Sequence, residues 1–191
     1  YGKDVYMLGA PEYLLLDSYP DYRNIIDKYS CNGERIVVFG LANEQITGEA
    51  VTKAITPMAF IILENEIRET AKETFEYFKK QGVAIKVISG DNPLTASKVA
   101  IRAGIDDATY YIDATTLKTD RDIADAVQKY TVFGRVIPEQ KKKIIEAFKM
   151  AGNVVAMTGD GVNDVLALKC ADCSVAMASG SEAASNAAQI V

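Results

Sequence analysis

One seven-residue stretch, Thr158-Gly159-Asp160-Gly161-Val162-Asn163-Asp164, holds two carboxylates, an amide and a hydroxyl around two glycines. The apolar run Val154-Val155-Ala156-Met157 precedes it and Val165-Leu166-Ala167-Leu168 follows, so the stretch reads as a strand-to-helix turn. Asp160 and Asp164, four positions apart beside glycines that let the backbone approach closely, suit a hard, oxygen-liganded cation such as Mg2+. A helix cap needs one carboxylate, so the second acid and the amide exceed what local structure demands. A second polar stretch, Ser89-Gly90-Asp91-Asn92-Pro93, follows Val87-Ile88. Its hydroxyl, its glycine and the amides of a helix start can hold a phosphate, and Asn92-Pro93 also reads simply as a cap. Lys141, in the first turn after Pro138, is the cation for charge that develops in phosphoryl transfer. Lys142 and Lys143 lie about 100° and 200° further round that helix and read as solvated surface.

Other chemistries are excluded by what is missing. The 191 residues contain no histidine, which removes Ser-His-Asp and Cys-His catalysis and every His-ligated metal site. The phosphate loop G-x-x-x-x-G-K-[ST] is absent, and Asp164 stands where G-x-G-x-x-G needs its third glycine. A net charge of -5 argues against nucleic acid as a partner. Three cysteines are too few to staple a secreted scaffold. The Cys170-x-x-Cys173 pair follows a helix-like run instead of opening a helix, so it reads as small buried thiols. The longest apolar runs fall far below the ~20 residues that span a bilayer, so the chain is expected to be soluble.

The elements that must position these residues alternate from about residue 58 onward. Strands are expected at residues 60–63, 83–88, 131–133, 154–157 and 174–177. Ile67, Ala71, Phe75 and Phe78 fall at helical spacing before Gly82; Asn92 and Pro93 open a helix that Gly104 ends; Pro138 and Gly152 bracket another. Apolar strands between amphipathic helices imply an α/β fold, a doubly wound parallel sheet with ligands at the strands' carboxyl ends. Residues 1–56 differ: a strand at Val5-Tyr6-Met7-Leu8, a helix after Pro20 and a strand at Ile36-Val37-Val38-Phe39 read as partial α+β material, with a boundary near Thr56-Pro57.

These residues spell a pattern that resembles the P-type cation-transporting ATPases of the haloacid dehalogenase superfamily. Met157 through Asp164, with Ala167-Leu168 and Ala171-Asp172, is similar to that family's hinge signature. Ser89-Gly90-Asp91 resembles its T-G-D element with serine for threonine, and Phe133 through Lys141 its P-x-x-K segment. Leu8-Gly9-Ala10-Pro11-Glu12 is similar to the K-G-A-P-E of its nucleotide-binding domain, with leucine for lysine. Gly33-Glu34-Arg35-Ile36 matches a segment whose arginine reaches the nucleotide, and Asn65-Glu66-Ile67-Arg68 its D-x-x-R with asparagine for aspartate.

The resemblance implies a haloacid dehalogenase-like Rossmannoid domain at 57–191, preceded by the end of a nucleotide-binding domain at 1–56. It implies ATP and Mg2+ as cofactors, with Lys141, Ser89, Gly90 and Asp164 catalytic and Asp160 and Asp164 on the metal. Arg35, Arg68, Asp91, Arg135 and Asn163 would serve nucleotide and phosphate. The family's D-K-T-G-T, whose aspartate takes the phosphoryl group, occurs nowhere in the sequence, and neither does D-x-D-x-T. The expectation is therefore a cytosolic fragment of a membrane pump, inactive by itself, whose partners are ATP, a transported cation and the rest of its own polypeptide. A soluble phosphatase of the same superfamily and a phosphate- or nucleotide-binding module without turnover are the alternatives.

Overall fold

The computed structural model describes residues 4–30, 34–43, 52–64 and 66–191. Gly33 and Asn65, quoted in the sequence reading, and Cys31, the first of the three cysteines, lie outside them. The chain divides into two compact units, Tyr1–Arg68 and Glu69–Val191.

In the first unit β1 (Tyr6–Gly9), β2 (Arg35–Leu41) and β3 (Thr56–Leu63) form an antiparallel sheet in that order. Helix α1 (Pro11–Leu14) follows β1, and α2 (Tyr19–Ser30) turns its apolar side to the sheet. Alternation along β2 sends Ile36 and Val38 inward to meet Leu14, Leu15, Ile26 and Ile55. The strand expected at 60–63 exists, but not in a parallel sheet. It is the second half of β3, with Phe60 opposite Val38 in antiparallel register. The run Phe60-Ile61-Ile62-Leu63 has no period of its own, so its letters suit either sheet, and the open edge of β2 decides. Packing therefore divides the chain after Arg68, twelve residues beyond the boundary expected at 56.

The second unit holds parallel strands with helices between them. Strands β4 (Val87–Ile88), β5 (Tyr111–Asp113) and β6 (Val132–Gly134) pair in the order β4-β6-β5, while β7 (Ala156–Gly159) pairs with β8 (Cys173–Ala176). The intervening helices are α3 (Ala71–Lys80), α4 (Pro93–Ala103), α5 (Asp120–Lys129), α6 (Pro138–Met150), α7 (Val165–Cys170) and α8 (Glu182–Ala187). The expected punctuation holds: Asn92 Oδ1 accepts the Leu94 N–H at 2.9 Å, and Gly104 and Gly152 both take φ +87° after their helices. Phe133, Ile144, Ile123 and Val127 form one core cluster and Ile145, Met157, Ala167 and Leu168 another, with Ile88 packed against both. Strand β5 and helix α5 have no counterpart in the sequence reading. β5 is only three residues long, and α5 opens on a capping box whose third residue is Asp122 instead of Glu or Gln. No helix among the described residues is long and apolar enough to cross a membrane.

Candidate phosphate and metal site

The carboxyl ends of β4 and β7 open on one cleft of about 380 Å³, where Ser89, Gly90, Lys141, Thr158, Asp160 and Asp164 meet. Each arrives by a local rule. Ser89 and Gly90 sit where β4 gives way to the capped start of α4. Pro138 starts α6, which puts Lys141 in that helix's first turn. Gly159 ends β7 at a point where a Cβ would lie 2.6 Å from the Cβ of Asp164, so only glycine lets the acid fold back under the turn.

Asp164 is buried beneath the cleft and fully engaged. Lys141 Nζ donates to its Oδ1 at 2.7 Å, and the backbone N–H groups of Gly161 and Asp160 donate to its Oδ2 at 3.1 and 3.3 Å. The side chains of the pair are 12% and 9% exposed. Burial alone would push the Asp164 carboxyl up, but the Lys141 hydrogen bond and charge, with the two backbone donors, outweigh it and hold it below the usual carboxylate range. Asp160 keeps an exposed side chain at the cleft. Its carbonyl accepts the Ser181 N–H at 2.7 Å, and a Cβ on Gly180 would come within 2.5 Å of that oxygen. The segment 177–181 thus buttresses the acidic turn from the far side. In the sequence Met177 closes the strand expected at 174–177, and the small residues Ala178-Ser179-Gly180-Ser181 carry no signal of this contact.

The profile of the haloacid dehalogenase-like hydrolases matches residues 4–172. The chain belongs to that family. It is 42% identical over its whole length to a probable cation-transporting ATPase of Streptococcus pneumoniae, of which it covers 24%. It is likewise 42% identical, over 97% of its length, to a calcium-transporting ATPase of Mycobacterium bovis, of which it covers 23%. The chain therefore spans about a quarter of the length of the curated relatives it matches. A crystal structure of a zinc-transporting PIB-type ATPase shares its fold, with a TM-score of 0.57 over 98% of this chain and 24% of the other, at 20% identity.

The haloacid dehalogenase-like cleft gathers five of the residues singled out in the sequence: Ser89, Gly90, Lys141, Asp160 and Asp164. Others stand apart from its lining. The Arg135 guanidinium pairs with Asp113 at 2.9 Å, the Asp91 backbone N–H donates to Ser89 Oγ at 3.1 Å, and Asn163 is exposed on the short turn Val162–Asp164. Arg35, at the start of β2, and Arg68 belong to the first unit and are exposed there. The C-x-x-C thiols, expected to be buried, are half-buried: Cys170 closes α7, Cys173 opens β8, and they are not bonded to each other.

The donor set fits a magnesium ion that brings most of its own ligands. Asp160 and Thr158 line the cleft, whereas both Asp164 oxygens already serve Lys141 and the turn. Among the described residues no three acidic or thiol side chains converge. Mg2+ is commonly held by one or two carboxylates, with waters and phosphate oxygens completing its shell, and one exposed carboxylate meets that minimum.

Proposed function

We propose that this chain is part of an ATP-driven, cation-transporting P-type ATPase, a membrane protein that couples Mg-dependent ATP hydrolysis to ion movement through an aspartyl phosphate. In this reading residues 69–191 are most of its cytosolic phosphorylation domain, and the first unit is the end of its nucleotide-binding domain. The convergence of Ser89, Gly90, Lys141, Asp160 and Asp164 on one cleft carries the proposal. Similarity along nearly the whole of this chain to about a quarter of two cation-transporting ATPases supports it.

Each group has a task that its position suits. The Ser89 hydroxyl and the Gly90 backbone hold oxygens of the transferring phosphoryl group. Lys141 neutralises the charge that spreads over those oxygens, and Asp164, ionised and buried, keeps the ammonium aimed into the cleft. Asp160 would hold Mg2+, which would supply further neutralisation of the phosphoryl charge. Asn163 and Asp91 order the two turns, and Arg35 and Arg68 act toward the nucleotide. The acceptor aspartate belongs to D-K-T-G-T, which these 191 residues lack, so the chain by itself forms no acyl phosphate.

The strand that ends in D-K-T-G-T belongs between β4 and β7. Among the described residues neither strand is paired on its second edge, yet Ile88 of β4 packs against the cluster that contains Met157 of β7. In the full-length protein Asp160→Asn abolishes acyl-phosphate formation from Mg-ATP, measured as acid-stable label from γ-labelled ATP. Labelling at the wild-type rate would sink the proposal.

A further inference from the structure

The loop that carries Ser89 and Gly90 is tied to a residue that never reaches the cleft. Arg135 follows β6 with φ +53°, a left-handed backbone conformation that L residues rarely adopt. In that conformation its N–H donates to the Asp91 carbonyl at 2.8 Å, and the next N–H, of Val136, donates to the Ser89 carbonyl at 3.0 Å. The Ser89 N–H in turn donates to the Phe133 carbonyl at 2.9 Å. The segment 133–136 therefore holds both ends of the Ser89-Gly90-Asp91 loop. A Cβ on Gly134 would lie 2.3 Å from Pro93 Cα, so the two backbones are in contact as well.

Side chains hold the strained residue in place. Arg135 Nη1 donates to Asp113 Oδ2 at 2.9 Å, with the two side chains 32% and 26% exposed. Asp113 Oδ1 accepts from the Thr115 N–H at 3.0 Å and the Thr115 hydroxyl at 2.6 Å, which fixes the carboxylate plane. Asp113 ends β5, and parallel pairing sets it beside Gly134, one residue before its partner. Strand pairing thus delivers the acid to the arginine. Burial pushes the Asp113 carboxyl up, and the Thr115 donors with the Arg135 charge more than reverse that, so it stays ionised at neutral pH.

We propose that Asp113, acting through Arg135, is a positioning residue for the phosphate-binding loop. Its carboxylate holds the left-handed turn at Arg135, and that turn presents Ser89 and Gly90 to the phosphoryl group. The proposal rests on the reading of the cleft given under Proposed function, and it makes Arg135 a support of the loop. A displacement near 1 Å in such a loop costs about 100-fold in rate.

Hydrogen exchange on the 191-residue chain tests the tie directly. Asp113→Asn keeps an acceptor for Thr115 and removes the charge. The amides of Arg135 and Val136 should exchange about tenfold faster, while those of Asp172 and Ala176, bonded to the Val155 and Ile190 carbonyls, keep their rates. Arg135→Gly, which accepts the same φ without strain and so no longer needs the pair, should leave the Val136 amide closer to its wild-type rate than Asp113→Asn does. Unchanged exchange at 135 and 136, or an equal rise at all four amides, overturns the proposal.

In the full-length protein, Asp113→Asn should slow phosphorylation at saturating Mg-ATP by about 10- to 100-fold with the apparent KM for ATP within about threefold. A wild-type rate in Asp113→Asn, with Asp160→Asn inactive, refutes the positioning role alone. A normal rate in Asp160→Asn refutes the reading of the cleft beneath it.

Discussion

Strands β6 and β7 are both short parallel strands of the same unit, and they live in different surroundings. β6 lies between β4 and β5, and Val132, Phe133 and Gly134 are all buried. β7 pairs only with β8 among the described residues, and its Ala156 and Thr158 are exposed. Val154, just before β7, shares that exposure at 89%. A parallel strand is ordinarily covered on both faces and paired on both edges, because its carbonyls and amides have no other partners. On the proposed reading, the open edge of β7, beside the cleft, is where the strand ending in D-K-T-G-T would pair.

The contrast can be broken by substitution. Phe133→Ala in β6 should cost about 4 kcal/mol of unfolding free energy in urea melts, the usual range for emptying a buried aromatic site. Thr158→Ala in β7 should fall within about 0.5 kcal/mol. Equal costs would mean that β7 is as fully embedded as β6. Lys141→Met, which leaves the buried Asp164 carboxylate without its cation, should cost about 3 kcal/mol. Gly134→Ala forces a methyl against the Pro93 backbone and should cost about 2 kcal/mol, whereas Gly90→Ala, whose Cβ has nothing nearer than 3.9 Å, should change stability little.

A further effect is the acid limb of stability. The folded-state pKa of Asp164 lies below the unfolded value near 4, so its contribution is present above about pH 4 and is lost as pH falls through the folded value. The wild-type urea midpoint should drop over that interval. In Lys141→Met the drop should flatten, because the carboxyl loses the donor that depresses it most.

Legibility in the sequence followed the range of the interaction. Asn92 as a cap, Pro93 and Pro138 in first turns and the glycines after the helices act within a few residues, and each stands where it was read. The acidic turn was also legible, since T-G-D-G-V-N-D carries more polar groups than any cap uses. β5 was not, because three residues cannot display a period, and without β5 the Asp113–Arg135 pair had no reason to be sought. The hold of Lys141 on Asp164 was hidden too, because it joins segments far apart in the chain. Two carboxylates four apart look equivalent until Lys141, 23 positions away from Asp164, is seen to claim one of them.

By itself the sequence determined the chemical inventory and the local breaks that deliver it: which oxygens, amides and ammonium are available, and where strands yield to helices. Tertiary structure alone decided that residues 60–63 join an antiparallel sheet, that Asp164 supports Lys141 while Asp160 faces the cleft, and that Arg135 turns to Asp113. Caps and periods are energies of neighbours along the chain. Strand pairing and buried ion pairs depend on which distant segments share one edge or one pocket, and only the packed fold brings those segments together.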